Sequence, residues 1–238
     1  GERLFFAADD GEHGCDPWIP DGTEAGTFIL KDIPGCPSEA IAFKGGFLFA
    51  GGELWTSDGT PQGILLLGGN PGYTLYPRRL TLFGDKVVFR GTGSDGTELW
   101  VTDGTAEGTT RLKNLAALSS FPRGFTVLGG YVYFWADSDP VGGLWRSDGT
   151  EAGTELVKSL GIDKRLFEDE VFAVAGTALF FRAAASMESA DFELWTSDGT
   201  AEGTRLVKDI LPGPVGSRPE QLRSVHGNVV LTAEGGRD

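Results

Sequence analysis

The sequence predicts an all-β fold, a five-bladed β-propeller of four-stranded antiparallel blades whose ring is closed by the C-terminal strand joining the N-terminal blade. Three observations carry this expectation. A tryptophan-bearing motif recurs five times, glycine accounts for 37 of 238 residues without a collagen period, and the segments between motifs alternate with the period of strands. The motif reads DPWIPDGTEAGT from Asp16, ELWTSDGTPQGI from Glu53, ELWVTDGTAEGT from Glu98, GLWRSDGTEAGT from Gly143 and ELWTSDGTAEGT from Glu193. Trp18, Trp55, Trp100, Trp145 and Trp195 each precede an Asp by three residues and a Gly by eight, and the Asp-to-Asp steps are 37, 45, 45 and 50.

Each unit reads as four strands. A first strand ends in a two-residue turn containing Gly (Gly45-Gly46, Gly84-Asp85, Gly129-Gly130, Gly176-Thr177, Gly227-Asn228), and a second follows as FLFA, KVVFR, YVYFW or ALFFR. The third strand carries the tryptophan, and the fourth runs through TFILK, TTRLK, TELVK or TRLVK. Four antiparallel strands per unit make one blade, and radial repetition protects the sheet edges. One domain, 1–238, is expected, with units at about 1–36, 37–76, 77–120, 121–166 and 167–216 and a closing segment at 217–238. The strands add up to 21, one more than five blades of four use, because both LFFAAD and VVLTAE read as second strands. Either one is displaced at the seam, or the chain was cut from a longer array.

With 20 basic against 34 acidic side chains, the net charge of −14 argues against a nucleic-acid partner, which needs a basic footprint. The 40% apolar content excludes the disordered class, and no apolar run approaches the roughly 18 residues of a membrane helix. The chain begins at Gly1 and breaks off at GGRD inside the repeat, which predicts processing or excision.

The ELWxSDGTxxGT unit, followed by LVKDI, resembles the bacterial ELWxxDGT-repeat proteins of secreted or surface-associated chains. The resemblance covers essentially the whole chain and is weakest in the first unit, where DPW replaces ELW. It implies a propeller outside the cytoplasm and brings no catalytic residues. The architecture also looks like five-bladed lectins of the tachylectin type, without shared motifs.

The turns at Asp21, Asp58, Asp103, Asp148 and Asp198 are read as structural, because Asp-Gly supplies tight-turn geometry and Asp and Thr can bond the turn's own amides. No metal site or cofactor is expected. The five motif tryptophans are read as wedges between sheets. Trp135 has no counterpart in the other units and is read as packing over Gly143 or as a ligand platform. Arg90 is expected to face Glu98, and Arg182 to face Glu193. Cys15 and Cys36 are expected to form one disulfide.

In an up-and-down blade the 1-2 turns and the DGT turns share one end. The loops that differ between units, GEHGCDP, GTGSDG, DSDPVG and AASMESADF, share the other with NPGYTLYP, and variable loops on a rigid scaffold point to recognition. Candidate ligand contacts are therefore His13, Asp16, Tyr73, Tyr76, Trp135, Asp139, Met187 and Glu188. The favoured function is a non-catalytic extracellular module that binds a glycan by aromatic stacking and carboxylate hydrogen bonds. Alternatives are a structural or protein-interaction subunit assembling through a spare terminal strand, and a glycosidase using Glu39, Asp169, Glu170 or Glu220. His226 is read as a surface or seam residue.

Overall fold

Alternating side chains and glycine-bearing turns produce 21 short strands among the described residues, the number counted from the sequence; the one helical element there is a 3-10 turn at Pro61–Gly63. The computed structural model describes residues 4–68, 74–138, 142–161 and 172–235 and divides into two compact units, Gly1–Asn114 and Leu115–Asp238.

In the first unit, β1 (Phe6–Asp9), β2 (Cys15–Ile19) and β3 (Phe28–Ile29) form a three-stranded antiparallel sheet. Two four-stranded sheets follow: β4 (Glu39–Phe43), β5 (Gly46–Gly51), β6 (Glu53–Ser57) and β7 (Leu65–Gly68), then β8 (Arg78–Phe83), β9 (Lys86–Gly93), β10 (Gly96–Thr102) and β11 (Thr110–Lys113). The second unit repeats the pattern with β12 (Arg123–Leu128), β13 (Tyr131–Ala136), β14 (Gly143–Ser147) and β15 (Glu155–Ser159), then β16 (Phe172–Ala175), β17 (Ala178–Ala183), β18 (Glu193–Ser197) and β19 (Arg205–Lys208). A two-stranded sheet of β20 (Glu220–Val225) and β21 (Asn228–Thr232) completes it. Every sheet is an antiparallel meander in chain order, the pattern of propeller blades.

The 1-2 turns follow the hairpin rule with one adjustment. At the first and last of them the turn is Lys44-Gly45 and His226-Gly227, one residue earlier than the glycine positions suggest, because Lys44 and His226 take left-handed φ of 47° and 48° beside glycines at 81° and 78°. Three first strands share a bulge, with register shifts between Arg78 and Thr81, Arg123 and Thr126, and Glu220 and Arg223. The residue inside each bulge, Arg79, Gly124 or Gln221, has φ of 63°, 67° or 53°, the left-handed geometry of such an insertion. The last hairpin also carries the backbone tie of its predecessors: the amide of Glu234 donates to the carbonyl of Ser217 as Asp137 does to Ser120 and Thr92 to Leu75.

Among the described residues, β1–β3 form a sheet of three strands and β20–β21 a sheet of two. β20 pairs with β21 across a tight turn and β2 with β1 across a short loop, so both second-strand sequences keep local partners. Local hairpins of this kind carry a small loop-closure cost.

The core of each unit is built from the same aromatic pair. A second-strand Phe sits opposite or beside each motif tryptophan: Phe6 and Trp18, Phe49 and Trp55, Phe89 and Trp100, and Phe134 and Trp145 stack with centroids 6.3 to 6.5 Å apart. Phe181 faces Trp195 in register. Trp55, Trp145 and Trp195 are buried, and Leu30, Ile33 and Ile64 pack with Trp55 while Leu144, Val157 and Leu179 pack with Trp195. Aromatic pairs contribute about 0.5–1.5 kcal/mol beyond their buried area.

Strand register corrects the expected ion pairs. Arg90 is opposite Leu99, and Glu98 opposite Gly91; Arg182 is opposite Leu194, and Glu193 opposite Ala183. The pairing is one residue away from the expected one, which puts Arg and Glu on opposite sheet faces. Arg182 instead reaches Glu220 at 3.1 Å. Trp135 likewise faces Leu144, while Gly143 faces Ala136, so the tryptophan does not cover that glycine.

Cys15 and Cys36, 21 positions apart in sequence, form a disulfide that ties the start of β2 to the connection before β4. Replacing Cys36 with Ser is expected to cost about 3 kcal/mol. Trp195→Ala is expected to cost about 3–5 kcal/mol by leaving a cavity against Phe181. Urea unfolding followed by tryptophan fluorescence measures both, with a reducing-agent control reproducing the Cys36→Ser loss in the unsubstituted chain.

Candidate functional site

The DGT turns spend their polar groups on themselves. Oδ1 of Asp198 accepts from the Thr200 amide at 2.9 Å and its hydroxyl at 2.7 Å, that hydroxyl accepts from the Gly203 amide at 2.9 Å, and Thr204 Oγ1 donates to the Thr200 carbonyl at 2.6 Å. Asp21, Asp58, Asp103 and Asp148 repeat the first two bonds with Thr23, Thr60, Thr105 and Thr150. A Cβ on Gly26, Gly63, Gly108, Gly153 or Gly203 would overlap the turn's own carboxylate, so the motif's final glycine is needed for close approach, not for backbone freedom. The Thr hydroxyl and amide hold Asp21, Asp103 and Asp198 below the usual carboxylate range. No group of three or more His, Cys, Asp or Glu side chains among the described residues is placed to hold a metal ion.

The carboxylate that opens the third strand has a role the sequence reading missed. Glu193, buried, accepts from the amides of Ile210, Leu211 and Ser217 at 3.2, 3.1 and 2.8 Å and from Ser217 Oγ at 2.6 Å. Burial alone would raise its pKa, but the Ser217 hydroxyl and the amides outweigh burial and lower it. Glu53 accepts from the Leu75 amide at 3.0 Å, and Asp16 from the Ile33 amide at 2.9 Å. Each carboxylate thus clamps the connection leading to the next first strand. Asp16, fully buried, belongs to this clamp and is closed to a ligand.

The connections before β8, β12 and β20 end in a repeated pre-proline residue. Tyr76, Phe121 and Arg218 precede Pro77, Pro122 and Pro219 with φ of 45°, 44° and 44°, a left-handed geometry costly for non-glycine residues and found here three times. The Tyr76 amide donates to Gly52 at 2.8 Å and the Arg218 amide to Phe192 at 2.9 Å. Tyr76 is 56% exposed and Phe121 48%. Sequence reasoning selected Tyr76 and missed Phe121, although aligning the x-Pro pairs of CPSE, YPRR, FPRG and RPEQ exposes the column.

The other candidates separate. Trp135 is fully buried, stacked on Phe172 at 5.8 Å and edge-on to Phe181 at 5.3 Å, so neither ring face is open to a sugar. His13 lies at the exposed tip between β1 and β2, its Nδ1 2.7 Å from Asp10 Oδ2. The His13 amide and ring pull Asp10 far below the ordinary carboxylate range, and Asp10 in turn raises His13. Met187 and Glu188 are exposed between β17 and β18. Tyr73, Asp139, Asp169 and Glu170 lie outside the described residues. Glu39 accepts from the Arg79 and Leu80 amides at 2.9 and 3.0 Å, and His226 occupies an exposed hairpin turn. A concavity of about 930 Å³ in the first unit is walled by Ile41, Phe43, Phe47 and Leu82 beside Lys44 and Asp58, at the end of the uniform turns. Its polar groups are engaged: Lys44 Nζ donates to the Asp103 carbonyl at 2.8 Å, and Asp58 accepts from Thr60.

No family model matches the chain, and no curated protein matches it. Solved structures of propeller type do. The chain is similar to the computationally designed Ika8 protein (14% identity, TM-score 0.55, 98% of this chain and 65% of that one) and to a puromycin hydrolase mutant (15%, TM-score 0.53, 97% and 41%). A nidogen/laminin complex matches at 13% identity and TM-score 0.46, over 98% of this chain and 86% of that one. The chain thus spans under two thirds of the designed protein and under half of the hydrolase.

Gly203→Ala is expected to evict the Asp198 carboxylate and cost about 1–3 kcal/mol, measured by urea unfolding. The lowered pKa values of Asp21, Asp103 and Asp198 fix the sign of an acid effect: their stabilisation is present above the ordinary aspartate value of about 3.9 and is lost as pH falls through the lower folded values. The urea midpoint should therefore fall as pH drops below about 4, and Thr200→Val should flatten that decline.

Proposed function

We propose that the repeated sheets are the blades of a five-bladed propeller and that the chain is a non-catalytic extracellular module binding a glycan through the loops opposite the DGT turns. One observation carries the reading: an exposed aromatic ring stands at the same left-handed pre-proline position twice, as Tyr76 and Phe121, while the DGT groups are consumed internally. A rigidly presented ring stacks on the apolar face of a sugar at little entropic cost. The disulfide suits an oxidising compartment, and no helix among the described residues is long and apolar enough to cross a membrane. As bacterial ELWxxDGT repeats, such chains would act at the cell surface. The clamp role of Glu39 and the pairing of Glu220 with Arg182 favour binding over glycosidase chemistry.

A second reading, assembly with another surface protein, is favoured by β21, which among the described residues pairs with β20 alone and exposes Val230 at 56%. On a glycan array, Tyr76→Ala is expected to lower binding about tenfold or more without changing the melting temperature; absence of binding by the folded parent protein overturns the lectin reading. If assembly dominates, sedimentation velocity will show concentration-dependent association that Val230→Lys abolishes.

A further inference from the structure

In a chain with 34 acidic and 20 basic side chains, the connection carrying Tyr76 leads directly into a concentration of arginine. Arg78 and Arg90 are directly opposite each other in the β8–β9 ladder. The Arg78 guanidinium donates to two neutral acceptors, Ser38 Oγ at 2.9 Å and the Pro77 carbonyl at 3.1 Å, and has no carboxylate partner among the described residues. Both bonds come from Nη1, and they hold the planar group beside its neighbours.

The surroundings fix this geometry. Glu53 clamps Leu75, the Tyr76 amide is bonded to Gly52, Pro77 follows, and the bulge between Arg78 and Thr81 bends the strand just beyond. Glu39, on β4, caps the Arg79 and Leu80 amides. An exposed ring and a guanidinium two residues apart are therefore presented together on constrained backbone. The sequence aromatic-Pro-Arg recurs at Phe121, Pro122 and Arg123, where Arg123 lies 3.4 Å from Asp137 and faces Trp135, not a second arginine. The cationic version belongs to the first unit.

We infer that Tyr76 and Arg78, with Ser38 beside them, form a subsite for an acidic saccharide. The ring stacks on the sugar and the Arg78 guanidinium takes its oxyanion, either a uronate carboxylate or a sulfate ester. A guanidinium fork matches both, and charge-assisted bonds of this kind are roughly twice as strong as neutral ones. The inference rests on the glycan-binding reading and narrows its ligand class.

Isothermal titration of the full chain with three probes tests it: a hyaluronan hexasaccharide carrying carboxylates, a sulfated dextran oligosaccharide carrying sulfates, and neutral chitohexaose. The expected result is binding of at least one acidic probe, no measurable binding of chitohexaose, and a loss of affinity of about 10- to 100-fold in Arg78→Gln. The preferred acidic probe identifies the oxyanion. Arg78→Lys, which keeps the charge without the fork, should recover part of the loss, and circular dichroism confirms that each variant is folded. Equal binding of neutral and acidic probes, unaffected by Arg78→Gln, overturns the acidic-ligand inference and leaves the glycan reading standing. Failure of all three probes, together with a blank glycan array for the folded parent, overturns both.

Discussion

A carboxylate at the head of the third strand, present in the first, second and fifth repeats as Asp16, Glu53 and Glu193, is the constraint on which the candidate site depends. Glu193 and Glu53 accept backbone amides from the connection to the next first strand, and Asp16 does so in the N-terminal sheet. A buried amide without an acceptor costs about 1–3 kcal/mol, so each clamp makes one path for the connection much better than its alternatives. That path brings Leu75 under cover and leaves Tyr76 outside it. The tryptophan beside the carboxylate meanwhile anchors the strand in the core, so one short stretch of sequence fixes both packing and presentation.

Much of the fold was legible because repetition multiplies a weak signal. Any single DGT turn is a common tetrapeptide, but five in phase with tryptophan define strand order, turn position and the number of strands. The register of neighbouring strands was not legible. It depends on which loop residues close the 2-3 hairpin, and a one-residue difference moves Arg90 from Glu98 to Leu99. For the same reason the true role of Glu193, accepting from amides 17 to 24 residues away, is invisible in a column of aligned residues. The site was legible only in part. Tyr76 lay in a loop selected for its variability, but the positive φ before proline that links it to Phe121 is a backbone property no composition reveals. Trp135 was misleading because its uniqueness suggested function, whereas it fills space against Phe172 and Phe181.

The structural likenesses establish architecture alone. A designed protein and a hydrolase share the arrangement of sheets with this chain at 14% and 15% identity, and nothing about chemistry follows from that sharing. Function has to be argued from side chains that the scaffold does not consume. By that criterion the five identical turns are excluded by their own hydrogen bonds, and the first unit's concavity is disfavoured because Lys44 and Asp58 already serve the framework. The pre-proline column survives it, since its aromatic rings are exposed although their backbone is held.

The interlock of Asp198 with Gly203, and its four counterparts, also bears on how such a chain can evolve. Neither partner tolerates replacement alone: a larger residue at the glycine expels the carboxylate, and loss of the carboxylate orphans the threonine hydroxyl and amide it accepts from. Drift at these positions is therefore halted by sterics in every copy, with no selection for ligand required. Mutational freedom is diverted to the opposite rim, where each duplicated module can acquire its own specificity while the frame stays interchangeable.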